Sequence, residues 1–193
     1  MNAERGRKRR ERKPPKPLDR ERLEELALTY VARYATSAAK AEAYLRRKLR
    51  ERGWSEEEAA PPDPAGIIAR QVELGYIDDE AYARTRSGGL LRRGYGQRRV
   101  DQSLYAAGID EHVREDVRAG QAEQRRAVLA LARRRRLGPF CAKEIDQKLR
   151  DKQIAAILRA GHGFDAARAV MDAPSETALE EWVAEAAEQE DDE

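Results

Sequence analysis

The sequence predicts an all-α protein, an elongated tandem array of three three-helix repeats with flexible charged tails. Three observations lead there. Ala, Leu, Arg and Glu dominate the 193 residues, and all four are good helix formers. No stretch combines alternation with the β-branched enrichment that a strand needs. Finally, Gly53, Gly108 and Gly163 lie 55 residues apart, and each opens the same short phrase: Gly53-Trp54-Ser55, Gly108-Ile109-Asp110 and Gly163-Phe164-Asp165. Equal spacing of three copies indicates duplication. A repeated helix–glycine–helix unit points to a binding array rather than to a catalytic pocket.

Each phrase has a simple physical reading. Glycine after a helix takes the left-handed conformation without a Cβ clash. The apolar residue tucks into the angle between two helices. Ser or Asp then accepts hydrogen bonds from the free N–H groups of the next helix. Ser55 with Glu58 fits a capping box.

Residues 1–22 carry ten Lys/Arg against four Asp/Glu, and they read as a disordered basic tail. It is either a nucleic-acid-binding arm or a solubilising tail. Repeat 1 spans 23–78. Leu26, Ala27, Tyr30, Val31 and Tyr34 recur at helical spacing, and a second helix runs through Tyr44, Leu45 and Leu49 to Gly53. Trp54 reads as an anchor. Residues 59–65, with Pro61, Pro62 and Pro64, read as an insertion looped out of the repeat, because proline breaks a helix interior. Ile67, Ile68, Val72 and Leu74 resume the pattern.

Repeat 2 spans 79–120. Asp78 or Asp79 caps a helix that Gly88-Gly89 should weaken. The tight element Gly94-Tyr95-Gly96 follows, then a helix from Arg99 to Ala107 and a third capped by Asp110. Repeat 3 spans 121–172. Val128, Leu131 and Ala132 form one stripe, Arg133 to Arg136 close that helix, and Gly138-Pro139 stops it. Residues 173–193 read as an acidic amphipathic helix and tail, with Thr177 and Glu180 as a capping box and Leu179, Trp182, Val183 and Ala186 on one face. Residues 172–193 carry ten Asp/Glu and no Lys/Arg, which suggests that this tail covers part of a basic binding face or simply solubilises.

Several function classes are excluded or disfavoured. One cysteine, Cys141, permits no internal disulfide and no cysteine metal cluster. His112 and His162 lack partners at metal-ligand spacing. No phosphate-binding glycine loop is present. Neither a secretory signal nor a membrane-length apolar run occurs, so the expected location is cytoplasmic. No catalytic residue, cofactor or metal is expected. Net charge is only +2 across 38% charged residues, but the mildly basic body is where a polyanion would bind.

Two long motifs sharpen this reading. Val72-Glu73-Leu74-Gly75-Tyr76-Ile77-Asp78-Asp79-Glu80-Ala81-Tyr82-Ala83 precedes Arg92-Arg93-Gly94-Tyr95-Gly96-Gln97-Arg98-Arg99-Val100, and Leu45-Arg46-Arg47-Lys48-Leu49 leads to Gly53-Trp54-Ser55. Together these resemble the bacterial regulatory protein RecX family over residues 26–117 and, more loosely, to 171. The resemblance implies tandem three-helix repeats in a monomeric, non-enzymatic protein. It implies binding to the RecA recombinase filament on single-stranded DNA, with inhibition of ATP hydrolysis, strand exchange and coprotease activity in recombination, repair and the SOS response. The proline insertion, Gly88-Gly89 and both tails depart from the family pattern.

The candidate contacts are Arg92, Arg93, Tyr95, Arg98 and Arg99, then Arg133, Arg134, Arg135 and Arg136. Arginine forks suit carboxylates on a protein and phosphates on DNA. Tyr95 is suited to stacking on a base, and equally to plugging the gap between helices. Four consecutive arginines cannot share one helix face, so some of 133–136 point to neighbours. A direct DNA-binding protein acting without RecA is the alternative reading.

Overall fold

The computed structural model describes residues 16–55 and 63–191. Among the described residues the regular structure is helical, apart from one isolated bridge between Leu18 and Trp54. Ten α-helices are described: α1 Arg20–Arg33, α2 Ala38–Arg52, α3 Pro64–Glu73, α4 Asp79–Arg92, α5 Gln97–Tyr105, α6 Glu111–Asp116, α7 Gln121–Arg135, α8 Gln147–Arg159, α9 Phe164–Asp172 and α10 Glu176–Asp191. A 3₁₀ turn, Gly138–Phe140, follows α7. The polar caps are mostly aspartates and serines. Asp19, Ser37, Asp63, Asp78, Asp146 and Ser175 each accept from a backbone N–H in the first turn they precede.

Three apolar cores lie in chain order. Leu18, Leu23, Ala27, Leu45, Ile67, Ile68 and Ile77 fill the first, between α1, α2 and α3. Leu90, Leu91, Val100, Leu104, Ile109 and Val113 fill the second, between α4, α5 and α6. Val128, Leu131, Ile157, Val170, Leu179 and Val183 fill the third, which takes in α10 as well as α7, α8 and α9. Most residues of the stripes expected from helical spacing are core residues, but Tyr34, Val72 and Leu74 are exposed.

The units meet through one arrangement used twice. At the first seam, the start of α2 faces the turn between α5 and α6. Ser37 Oγ donates to the Ala107 carbonyl, Asp79 accepts from Ala38 N at 2.9 Å, and Ala39 sits beside Gly108. At the second, the start of α5 faces the turn between α8 and α9. Gly96 N donates to the Ala160 carbonyl at 2.9 Å, and Arg98 N to the Gly161 carbonyl at 3.2 Å. Each helix start offers N–H groups or a capping hydroxyl, and each turn offers carbonyls. Gly108 (φ +70°) and Gly161 (φ +97°) end the preceding helices in left-handed conformations and also permit close approach. Away from the seams the corresponding groups are satisfied locally. Leu18 pairs with the Gly53 turn, its N donating to the Gly53 carbonyl at 2.9 Å, while Asp146 caps α8 from its own chain segment at 2.7 Å.

Several sequence expectations are corrected. The basic tail does not extend to residue 22, since Leu18 is fully buried and α1 begins at Arg20. Asp63 and Pro64 are not looped out; Asp63 caps α3 and Pro64 is its first residue, where a missing N–H costs nothing. Ala65 is likewise within α3, whereas residues 59–62 of the insertion, Glu58 of the expected Ser55–Glu58 capping box and the arginines of 1–15 lie outside the described residues. Gly88-Gly89 does not interrupt α4, because Ala83, Ser87, Leu90 and Leu91 on either side are buried. The helix after Tyr95 starts at Gln97 rather than Arg99. In the third phrase the left-handed glycine is Gly161, so Gly163 precedes α9, Phe164 is half-exposed and Asp165 is inside the helix. Ser175, not Thr177, caps α10. That helix is part of the third unit, with Leu179 and Ala186 fully buried.

The second seam makes a sharp prediction. A Cβ at Gly96 would collide with the Gly161 carbonyl and His162 N, whereas a Cβ at Gly163 meets nothing within 4 Å. Gly96→Ala should cost about 1–3 kcal/mol by overpacking. Gly163→Ala should stay within about 0.5 kcal/mol of the parent. Urea unfolding followed by circular dichroism distinguishes them.

Candidate partner and nucleic-acid interface

The predicted contact residues gather around the second seam. Arg92 ends α4 and Arg93 follows it. Gly94 (φ +78°) then reverses the chain, and a Cβ there would lie 2.8 Å from Leu131 N in α7. Tyr95 is half-buried against the second core. Its neighbours Gly94 and Gly96 lie against the third unit, so the turn is the structural joint and Tyr95 packs beside it. Arg98 and Arg99 open α5 with exposed side chains. Arg99 Nη1 reaches Gln102 Oε1 at 3.5 Å, and Arg93 Nε donates to the Gly89 carbonyl at 2.8 Å.

The second arginine cluster divides. Arg134 Nη1 donates to the Arg93 carbonyl, which joins the two clusters although they are 41 residues apart. Arg133 turns the other way. It pairs with Glu180 of α10 and lies 5.8 Å from the Phe140 ring centroid. Arg135 is exposed at the end of α7, and Arg136 caps it with φ 55°. Thus Arg134 meets Arg93, and Arg93 and Arg99 line one groove while Arg98 lines another; Arg133 is committed to α10.

Two grooves flank this joint. One of about 360 Å³ is lined by Arg86, Arg93, Tyr95, Arg99 and Ser103 among others. The other, of about 450 Å³, is lined by Arg98, Arg118, Arg125, His162, Asp165 and Trp182 among others. Arg86 was legible in principle, because it precedes Arg93 by seven residues, two helical turns on one face. Arg118 and Arg125 were not, since only the stacking of units two and three brings them beside Arg98. Trp182 docks on the body: the Arg125 guanidinium lies 4.5 Å from its ring centroid and donates to its carbonyl.

His162 sits inside the seam. It is 4% exposed, and its Nε2 lies 3.1 Å from the Gly94 carbonyl. Burial lowers its pKa below 6.5, against the opposing pull of that carbonyl. The ring is therefore a neutral donor, with Nε2–H aimed at Gly94. Among the described residues no group of three or more His, Cys, Asp or Glu is placed to hold a metal. No described helix is long and apolar enough to cross a membrane.

Proteins named as regulators are among those similar to this chain. Residues 78–117, covering α4 to α6, match the family model described as RecX, second three-helix domain. The regulatory protein RecX of Myxococcus xanthus is 30% identical over 175 residues, 86% of this chain and 93% of that protein. That of Thermus thermophilus is 34% identical over 158 residues, 81% and 89% of the two. The crystal structure of RecX from Lactobacillus salivarius shares the fold, with a TM-score of 0.61 at 19% identity over 78% of this chain and 93% of that one.

The buried imidazole gives the seam a pH signature. Unfolded His162 takes up a proton near pH 6.5, while the folded ring resists it. The unfolded state therefore binds more protons, and the stability is fully present above about pH 6.5 and falls as pH drops below it. In His162→Gln the amide keeps a donor for Gly94 but does not titrate. The urea midpoint of the parent should fall from pH 8 to pH 5.5 by more than that of the variant.

Proposed function

Because this chain belongs to the RecX family of regulatory proteins, we propose that it docks on the RecA filament assembled on single-stranded DNA and inhibits that filament's ATP hydrolysis, strand exchange and coprotease activity. It acts as a cytoplasmic, monomeric, non-enzymatic regulator in recombination, repair and the SOS response. The observation that carries this reading is the joining of two sequence-distant arginine clusters at one joint, through Arg134 and the Arg93 carbonyl. Exposed Arg92, Arg93, Arg98 and Arg99 present planar forks in different directions there. Such forks pair with carboxylates on a recombinase subunit and with phosphates of the strand it carries.

A row of small units linked by repeated seams suits a helical polymer, because successive units meet successive subunits. Docking across adjacent subunits inhibits only if the regulator binds one filament state more tightly than the other. The resting spacing is then favoured, and ATP turnover falls with it.

The test is ATP hydrolysis by RecA on single-stranded DNA during titration with this protein. Inhibition at substoichiometric amounts is expected. Charge reversal at three exposed positions, Arg93→Glu, Arg98→Glu and Arg99→Glu together, should raise the concentration for half-inhibition at least about tenfold, with unchanged circular dichroism. Full inhibition by the reversed variant would remove this joint from the contact surface.

A further inference from the structure

The first unit carries a surface that the arginine joint does not explain. Five of the seven tyrosines line two adjoining grooves there. The larger, about 680 Å³, lies over the first seam, where Tyr34, Tyr76 and Tyr82 stand among Lys40, Arg86, Arg92 and Arg93. The smaller, about 380 Å³, lies between α1 and α2, where Tyr30, Tyr34 and Tyr44 stand among Arg33, Arg47 and Lys48. Tyr34 belongs to both and forms the ridge between them.

Three features set this surface apart from ordinary packing. Tyr34 is 53% exposed and Tyr76 60% exposed, so neither ring is used up by the core. The rings form a graded series: Tyr44 stacks on Tyr30 with centroids 4.1 Å apart, and Tyr30 meets Tyr34 at 5.3 Å and 50°. The lining is also predominantly basic. Lys40, Arg86, Arg92, Arg93, Arg33, Arg47 and Lys48 line it with one carboxylate, Asp78, although Arg47 and Lys48 are also paired with Glu51 beside the smaller groove. Part of that charge is already arranged around the rings. Lys40 Nζ donates to the Tyr82 hydroxyl at 2.6 Å, and Arg47 and Lys48 lie 5.6 and 5.7 Å from the Tyr44 ring centroid.

We infer that this double groove is a binding track for single-stranded nucleic acid, with bases stacked on Tyr34 and Tyr76 and phosphates on the flanking Lys and Arg side chains. Exposed aromatic faces interleaved with cations are what an unpaired strand uses and a duplex cannot, since its bases are already stacked. A strand crossing the Tyr34 ridge passes from one groove into the other. An acidic protein segment would use the cations but leave the exposed rings without a role. The track shares Arg92 and Arg93 with the joint described above, so a strand held here runs towards the second seam. Its existence does not require a recombinase.

Binding of fluorescein-labelled oligo(dT) to the full chain, without RecA and across a salt series, tests the inference; a second arm uses oligo(rU). Tyrosine-dependent binding of either supports it and says which strand is taken. Tyr34→Ala with Tyr76→Ala should weaken binding between about fivefold and a hundredfold, at unchanged circular dichroism. Tyr34→Phe with Tyr76→Phe should restore it, because the stacking face is kept. Tyr105→Ala, at an exposed tyrosine outside both grooves, should bind like the parent. Parent-like binding by the double alanine variant overturns the track, as does equal affinity for duplex. Loss of RecA inhibition with oligomer binding intact would assign the surface to a protein partner instead, and also overturns it.

Discussion

The second seam depends on a close backbone approach that only glycine permits. Gly96 N reaches the Ala160 carbonyl and Gly161 lies against the start of α5, with no room for a Cβ on either side. From this contact the position of the third core follows, and with it the placement of α7 beneath Gly94. The convergence of Arg134 on Arg93 is a consequence. His162 completes the joint as a neutral donor to Gly94. The first seam repeats the pattern with a serine hydroxyl in place of a glycine N–H. The helix-start-to-turn contact is common to both seams, and the second is reinforced by packing of α4 on α7.

The same groups are satisfied locally where no seam is described. At Gly53 the turn carbonyl accepts from Leu18 N rather than from the start of a neighbouring unit's helix. At the start of α8 the Leu149 N–H is taken by Asp146 of the same chain segment. The open side of the third core is covered by α10, through Leu179, Val183 and Ala186, and tied by Glu180 to Arg133 and by Trp182 to Arg125. The acidic C-terminal segment is therefore a structural helix whose outer face remains negative. Removing it would uncover core before it could free any binding face.

Much of the fold was legible because helix stripes and glycine stops are local signals. Leu45, Ile67, Ile68, Val128 and Leu131 belong to stripes read from helical spacing, and all are buried. What failed were inferences from intrinsic propensity that packing overrides. Gly88-Gly89 stays helical because buried neighbours hold α4, and Pro64 starts a helix because its first N–H is unused there. The shift from Gly163 to Gly161 arose because two glycines two residues apart offer equivalent sequence signals, and only the seam distinguishes them. At the candidate site, runs such as Arg92-Arg93 and Arg133 to Arg136 were visible, but their union was not, because it depends on how units stack. The tyrosine track escaped because Tyr34 and Tyr76 are 42 residues apart, and only the folding of the first unit brings them to one groove.

Electron cryomicroscopy of RecA filaments on single-stranded DNA, saturated with this protein, tests the central claim most directly. Docking of a fixed row predicts continuous helical density spanning adjacent RecA subunits, with all three units in the relative positions described and the arginine joint facing the filament. Density confined to filament ends, or units separated along the groove with their seams open, would contradict it.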